Sequence, residues 1–190
     1  KPVSIYHSTR WYLKWLVGLQ WYLSNAGDGA TNHFEAGAFL KSGDDVDFPD
    51  LQFHFLPVAM DYDGKDQHRG HGFQVHVGPM KPSSRGTVKL RTSDPKISPI
   101  VRFNYNESER DREVMRCGIR IARRIVRQSP FDAYRGNELR PGLSVDTDRD
   151  LDAFIRQYAE SAYHPSCTCR MGVDEGAVVN QRGLVNGVSV

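Results

Sequence analysis

The sequence predicts an α+β fold in which helices pack on one side of a mostly antiparallel sheet. Three observations lead there. Runs of two-residue alternation fill the stretch from Leu51 to Tyr105, and two strongly periodic helical stretches follow them. No internal repeat or low-complexity linker divides the 190 residues, a length that can bury one sizeable core.

The first element runs from about Ser8 to Leu23. Trp11, Tyr12, Trp15, Leu16, Leu19, Tyr22 and Leu23 recur at helical spacing. Arg10, Lys14 and Gln20 interrupt a stretch that is too short to span a bilayer. The expectation is a helix docked on the rest of the fold. A helix lying on a membrane surface is the alternative, because Trp, Tyr and Lys suit that interface. Asn25 to Asn32 is a Gly-rich turn. Its Gly27-Asp-Gly-Ala-Thr-Asn32 imitates a dinucleotide fingerprint, but it lacks the third Gly and follows a helix, so it reads as a loop.

Strands come next. Leu51, Phe53 and Phe55 alternate with Gln52 and His54; Phe73, Val75 and Val77 alternate with Gln74 and His76. Val88 and Leu90 alternate with Thr87, Lys89 and Arg91; Val101, Phe103 and Tyr105 alternate with Arg102 and Asn104. Such runs joined by Gly, Pro, Ser and Asp turns describe an antiparallel sheet with one polar or cavity-facing side. From Glu107 to Gln128, Val114, Gly118, Ile121, Ala122 and Ile125 form one helical face, and seven arginines take much of the remainder as a solvated face. Thr147-Asp-Arg-Asp150 is a capping-box pattern, followed by the apolar stripe Leu151, Phe154, Ile155 and Tyr158.

Composition narrows the function. The 25 basic and 23 acidic side chains leave a net charge of +2, which argues against a nucleic-acid partner. The 17 Gly without period and 20 aromatic residues exclude collagen and disorder. Three cysteines cannot close a disulfide framework, and Cys167 and Cys169, separated by one residue, stand too close in sequence for an easy bridge in an extended segment. They read as thiols in a reducing intracellular compartment. No signal peptide is visible, and both ends look cut, which suggests a truncated fragment of a longer polypeptide.

The stretch Ser161 to Gly172 carries the chemistry. His164 precedes Pro165, which biases its backbone to an extended conformation and fixes where the imidazole points. By composition alone, His164 reads as either structural or functional. Zinc is disfavoured, because Cys-x-Cys is poor spacing and no second Cys pair exists, so no metal is expected.

The run Tyr163-His-Pro-Ser-Cys-Thr-Cys-Arg-Met-Gly172 resembles the C-terminal signature of the glucose–methanol–choline (GMC) flavoprotein oxidoreductases, and most closely that of their choline branch. Asn32-His-Phe-Glu-Ala-Gly-Ala-Phe39, Phe53-His-Phe-Leu-Pro-Val-Ala59, His71-Gly-Phe-Gln-Val-His-Val-Gly78, Ser84-Arg-Gly-Thr-Val88 and Tyr134-Arg-Gly-Asn-Glu138 agree, so the likeness spans the chain.

The resemblance implies that residues 1–190 are the substrate-binding, C-terminal catalytic domain of an FAD-dependent alcohol dehydrogenase, with a sheet of about six antiparallel strands. The FAD domain of the same polypeptide is absent from this chain, so no FAD is expected on it and it is expected to be inactive alone. It further implies His164 as the proton acceptor, Glu35 as a carboxylate for a choline-like cation, and His71 near the substrate hydroxyl. Without the resemblance, Glu35 is a solvated loop residue, and His68, His71 and His76 are a surface cluster or a weak metal site. Choline oxidised through the aldehyde to glycine betaine, with electrons passing to a membrane respiratory acceptor, is the implied reaction. Another primary alcohol, or a catalytically silent interaction or membrane-docking module, is the alternative.

Overall fold

The computed structural model describes residues 4–60, 68 and 70–188. Its sheet begins with a strand the alternation does not reveal, β1 (Ala36–Leu40), which runs antiparallel to β2 (Leu51–Leu56). The third strand, β3 (Gln74–Pro79), lies on the other side of β2, giving the order β1-β2-β3. A second sheet pairs β4 (Thr87–Lys89) with β5 (Ile100–Arg102). The described residues therefore hold five strands in two sheets, where about six were expected. The expected run through Tyr105 stops at Arg102. Asn104 takes a left-handed φ of 53°, which breaks the two-residue repeat, and the rings of Phe103 and Tyr105 stack on each other at 4.9 Å.

Register turns the alternation into two faces. Leu51 and Phe53 of β2 join Ala38, Leu40, Val75 and Val77 beneath α2 (Glu109–Val126), where they meet Val114 and Ile121. Full burial of a side chain such as Leu51 stabilises by roughly 1.5–3 kcal/mol. Gly118 lets the helix come close: a Cβ there would stand 2.7 Å from Val77 Cγ2. The opposite face carries Gly37, Gln52, His54, Gln74 and His76, with His54 directly opposite His76.

The helix α2 starts where Ser108 accepts a hydrogen bond from the Asp111 backbone N–H at 3.1 Å. Asp111 is buried and receives the backbone N–H groups of Ser83 at 2.7 Å and Ser84 at 2.8 Å, together with both hydroxyls. Burial pushes its carboxyl up, but the four donors outweigh that and hold its pKa down at about 2. The last helix, α3 (Asp148–Tyr158), is capped by Thr147 as its sequence predicts. It packs Leu151 and Ile155 on Ile119 of α2.

Two of the arginines expected on a solvated face are drawn inward, Arg116 buried and Arg123 partly buried. Arg116 reaches Asp152 at 2.8 Å and Glu109 at 2.7 Å, and Arg123 reaches Glu138 at 2.8 Å. A buried guanidinium needs such partners.

The first helix, α1 (Lys14–Ser24), corrects a further expectation. It exists, but it buries none of its residues, and its neighbour is the short turn Asp28–Ala30. Trp15 is 65% exposed and Tyr22 78%. The cause is its composition: Trp15, Leu16, Val17, Leu19, Trp21, Tyr22 and Leu23 leave little polar face, so no single side is selected for docking. No helix among the described residues is long and apolar enough to cross a membrane.

Candidate active site

Glu35 stands immediately before β1. Its backbone N–H donates to the Phe55 carbonyl at 3.2 Å, so it extends the β1–β2 ladder. Alternation places residue 35 on the same side as Gly37, which pairs with His54, and so on the polar face of the sheet. The carboxylate is exposed and accepts the Thr31 hydroxyl at 2.7 Å. Thr31 also accepts the His33 N–H, and Asn32 accepts the Phe34 N–H, so side chains of the loop itself fix the approach to Glu35. Phe34 meets the His54 ring edge-on at 5.4 Å, which presents aromatic surface next to the carboxylate. Nδ1 of His33 is buried without a hydrogen-bond partner among the described residues.

His54 and His76 are the titratable pair of that face. Burial, and then the neighbouring charge of His54, lower the pKa of His76, so it favours the neutral imidazole. Its Nε2 lies 2.7 Å from the Gln74 amide nitrogen. A neutral histidine can accept a proton, and two opposed ones resist becoming charged together.

His71 lies just before β3 and faces the N-terminal turn. Its Nδ1 is 2.9 Å from the Ser4 hydroxyl, and the rings of Tyr6 and His7 approach it at 5.6 and 5.0 Å. The alternating pattern gave no sign of these partners, because they lie more than sixty residues away in sequence.

His164 occupies the irregular segment between α3 and Met171, and it is exposed. Tyr163 before it has a φ of 57° and Cys167 after it a φ of 71°, conformations uncommon for residues with a side chain. Downstream, Arg170 pairs with Asp174, and the backbone of Arg170 receives Val178 and Val179, which anchors the end of the motif. No hydrogen bond, ion pair or ring contact joins His164, Glu35 and His71 to one another among the described residues. Two surface concavities, of about 550 and 350 Å³, are lined by other residues: Arg116, Asp148 and Arg156 in the larger, Val173, Asn180 and Arg182 in the smaller. Among the described residues no three His, Cys, Asp or Glu side chains gather as a metal site.

The helix N-termini bear on a dinucleotide. Ser108, Glu109 and Asp111 occupy that of α2, and Thr147, Asp148 and Asp150 that of α3. Acidic side chains there repel a pyrophosphate, and α1 opens without a side-chain cap or a Gly-rich loop. None of these three helix N-termini therefore has the uncharged, Gly-rich opening that suits a dinucleotide's phosphates. What the described residues offer is a polar sheet face with a carboxylate, an aromatic edge and two opposed histidines.

The family description "GMC oxidoreductase" matches residues 82–190. An oxygen-dependent choline dehydrogenase of Acinetobacter baumannii (strain AYE) is 47% identical over 189 residues, which is 100% of this chain and 34% of the relative. One from Paraburkholderia xenovorans (strain LB400) is 49% identical over 188 residues, 99% of this chain and 34% of the relative. The chain thus spans about a third of the length of the curated relatives it matches. Among solved structures, formate oxidase superposes with a TM-score of 0.80 at 16% identity, covering 93% of this chain and 36% of that one; this likeness concerns the fold. Pyridoxine 4-oxidase from Mesorbium loti superposes with a TM-score of 0.70 at 25% identity over 80% of this chain and 30% of that one. With the family match covering more than half of its residues, the chain belongs to the GMC oxidoreductases.

Proposed function

We propose that this chain is the substrate-binding part of an FAD-dependent choline dehydrogenase, which oxidises choline to betaine aldehyde and onward to glycine betaine. The observation that carries the reading is near-50% identity along the whole chain to relatives named choline dehydrogenase. Oxidation of a primary alcohol removes a hydroxyl proton and a hydride. FAD, held by polypeptide outside the described residues, supplies the hydride acceptor. The parts assigned to this chain concern the substrate alone. His164 accepts the hydroxyl proton, a role that suits an imidazole near neutral pH. Glu35 pairs with the trimethylammonium group. That group has no N–H to donate, so charge and the aromatic faces of residues such as Phe34 must recognise it. His71, oriented by Ser4, lies near the hydroxyl.

For the electron acceptor, the relatives' name supports oxygen. The exposed apolar surface of α1 supports the alternative of a membrane respiratory carrier reached by peripheral docking. Comparing turnover with and without oxygen in purified enzyme, then with membranes added, separates the two.

Stopped-flow reduction of the full-length flavoenzyme by choline tests the reading. His164→Ala should slow reduction by roughly 10²–10⁴, the usual contribution of a positioned acid–base group. Reduction at the wild-type rate would assign His164 a structural role. Failure of choline to reduce the flavin while another primary alcohol does so would leave a GMC alcohol dehydrogenase of different substrate.

A further inference from the structure

The three thiols of the chain sit in different surroundings. Cys117 is half-buried in α2, and its Sγ donates to the Ser42 carbonyl at 2.9 Å. Burial, and then the negative charge of Asp50, push its thiol pKa up. Cys167 and Cys169 are both exposed.

The objection to a bridge between Cys167 and Cys169 is geometric. Two steps of extended chain separate Cα atoms by about 6.8 Å, the outer limit of the roughly 4.4–6.8 Å that a disulfide tolerates. In the structure the segment is not extended. Residues 167–169 form a bend and turn, and Cys167 has the left-handed φ of 71° that folds the chain back. Among the described residues no main-chain hydrogen bond ties 164–169 to a neighbouring element, so the turn can adjust to the S–S geometry without breaking a ladder. Arg170 follows directly, its guanidinium held by Asp174 at 2.8 Å.

We propose that Cys167 and Cys169 are a dithiol that hydrogen peroxide oxidises to an intramolecular disulfide beside His164. The thiolate of Cys167 attacks a peroxide oxygen; the O–O bond breaks, a sulfenic acid forms and, after proton transfer, water leaves. The thiol of Cys169 then attacks the sulfenic sulfur, the S–O bond breaks, the S–S bond forms and a second water leaves. Two thiols lose two electrons and two protons, and peroxide is reduced to two waters. This inference stands on the thiols alone and is independent of the alcohol oxidised.

Mass spectrometry and thiol counting on the full-length protein test it. After peroxide, the tryptic peptide spanning residues 157–170, which holds both cysteines, should be lighter by two hydrogen atoms. Dithiothreitol should restore it, and the peptide carrying Cys117 should remain a free thiol. In Cys169→Ser, peroxide followed by dimedone should leave an adduct on Cys167, the mark of a sulfenic acid that has lost its resolving thiol. Absence of that adduct, together with an unchanged wild-type mass, would overturn the proposal. Oxidation of both sulfurs singly to sulfinic acids, a disulfide between two molecules, or Cys117 reacting first would also overturn it.

Discussion

Asp111 shows how one side chain can hold several elements. Its carboxylate gathers the Ser83–Ser84 turn onto the first turn of α2, and four hydrogen bonds keep it ionised down to about pH 2. The unfolded chain holds an aspartate near its ordinary 3.8, so between these values the unfolded state binds more protons. The stabilisation is full above about pH 4 and is lost as pH falls through 2. Asp111→Asn should therefore unfold about 2 kcal/mol more easily at neutral pH in urea titrations. The gap between variant and wild type should close on acidification toward the folded pKa. A gap that stays constant from pH 7 to pH 2.5 would mean that packing, rather than the charge, is what Asp111 supplies. Among the residues proposed for the site, His164 is singled out by its motif and Glu35 by resemblance alone, since neither spacing nor periodicity distinguishes Glu35 from a loop carboxylate. The partners of His71 could not be read at all, because Ser4, Tyr6 and His7 reach it only through the fold.

At the scale of elements, the legible parts were those whose pattern repeats. The runs at Leu51 and Phe73 became β2 and β3 because apolar residues every second position meet one helix. The capping pattern at Thr147 began α3 as read. The strand β1 was invisible because Ala36-Gly-Ala-Phe-Leu40 has no polar residue to alternate; its register comes from β2. Helix α1 was legible as a helix but not in its placement, because an apolar stretch without a polar side does not say what it touches. The contact of α2 with the sheet depends on Gly118. Gly118→Ala gains about 1 kcal/mol of helix propensity, but its methyl would meet Val77 at 2.7 Å and Leu51 at 3.2 Å. Val77 is β-branched and held in the core, so relief requires shifting strand or helix, at roughly 1–3 kcal/mol. Thermal unfolding should show the variant melting lower than wild type. An equal or higher melting temperature would mean that the α2–β3 contact yields freely.

For the whole molecule, surface area is the informative quantity. A compact monomer of 21.5 kDa exposes about 9,200 Å², whereas this chain exposes 14161 Å². The excess includes Trp11, Trp15 and Tyr22 around α1, and Tyr163 and Met171 within the His164 motif. A chain that spans a third of its relatives' length and leaves its motif histidine exposed is consistent with the proposal that it supplies one side of an active site. In that proposal the substrate lies between the polar sheet face and the flavin, and His164 and Glu35 act on it without touching each other. The central claim is that Glu35 reads the charge of choline. Glu35→Gln keeps the size of the side chain and removes its charge, so binding of choline to the full-length enzyme should weaken roughly tenfold or more, as for loss of a charge-assisted contact. Binding of the neutral isostere, with carbon in place of the ammonium nitrogen, should hardly change. Equal losses for the two ligands would contradict the account and make Glu35 a support of the β1 loop instead.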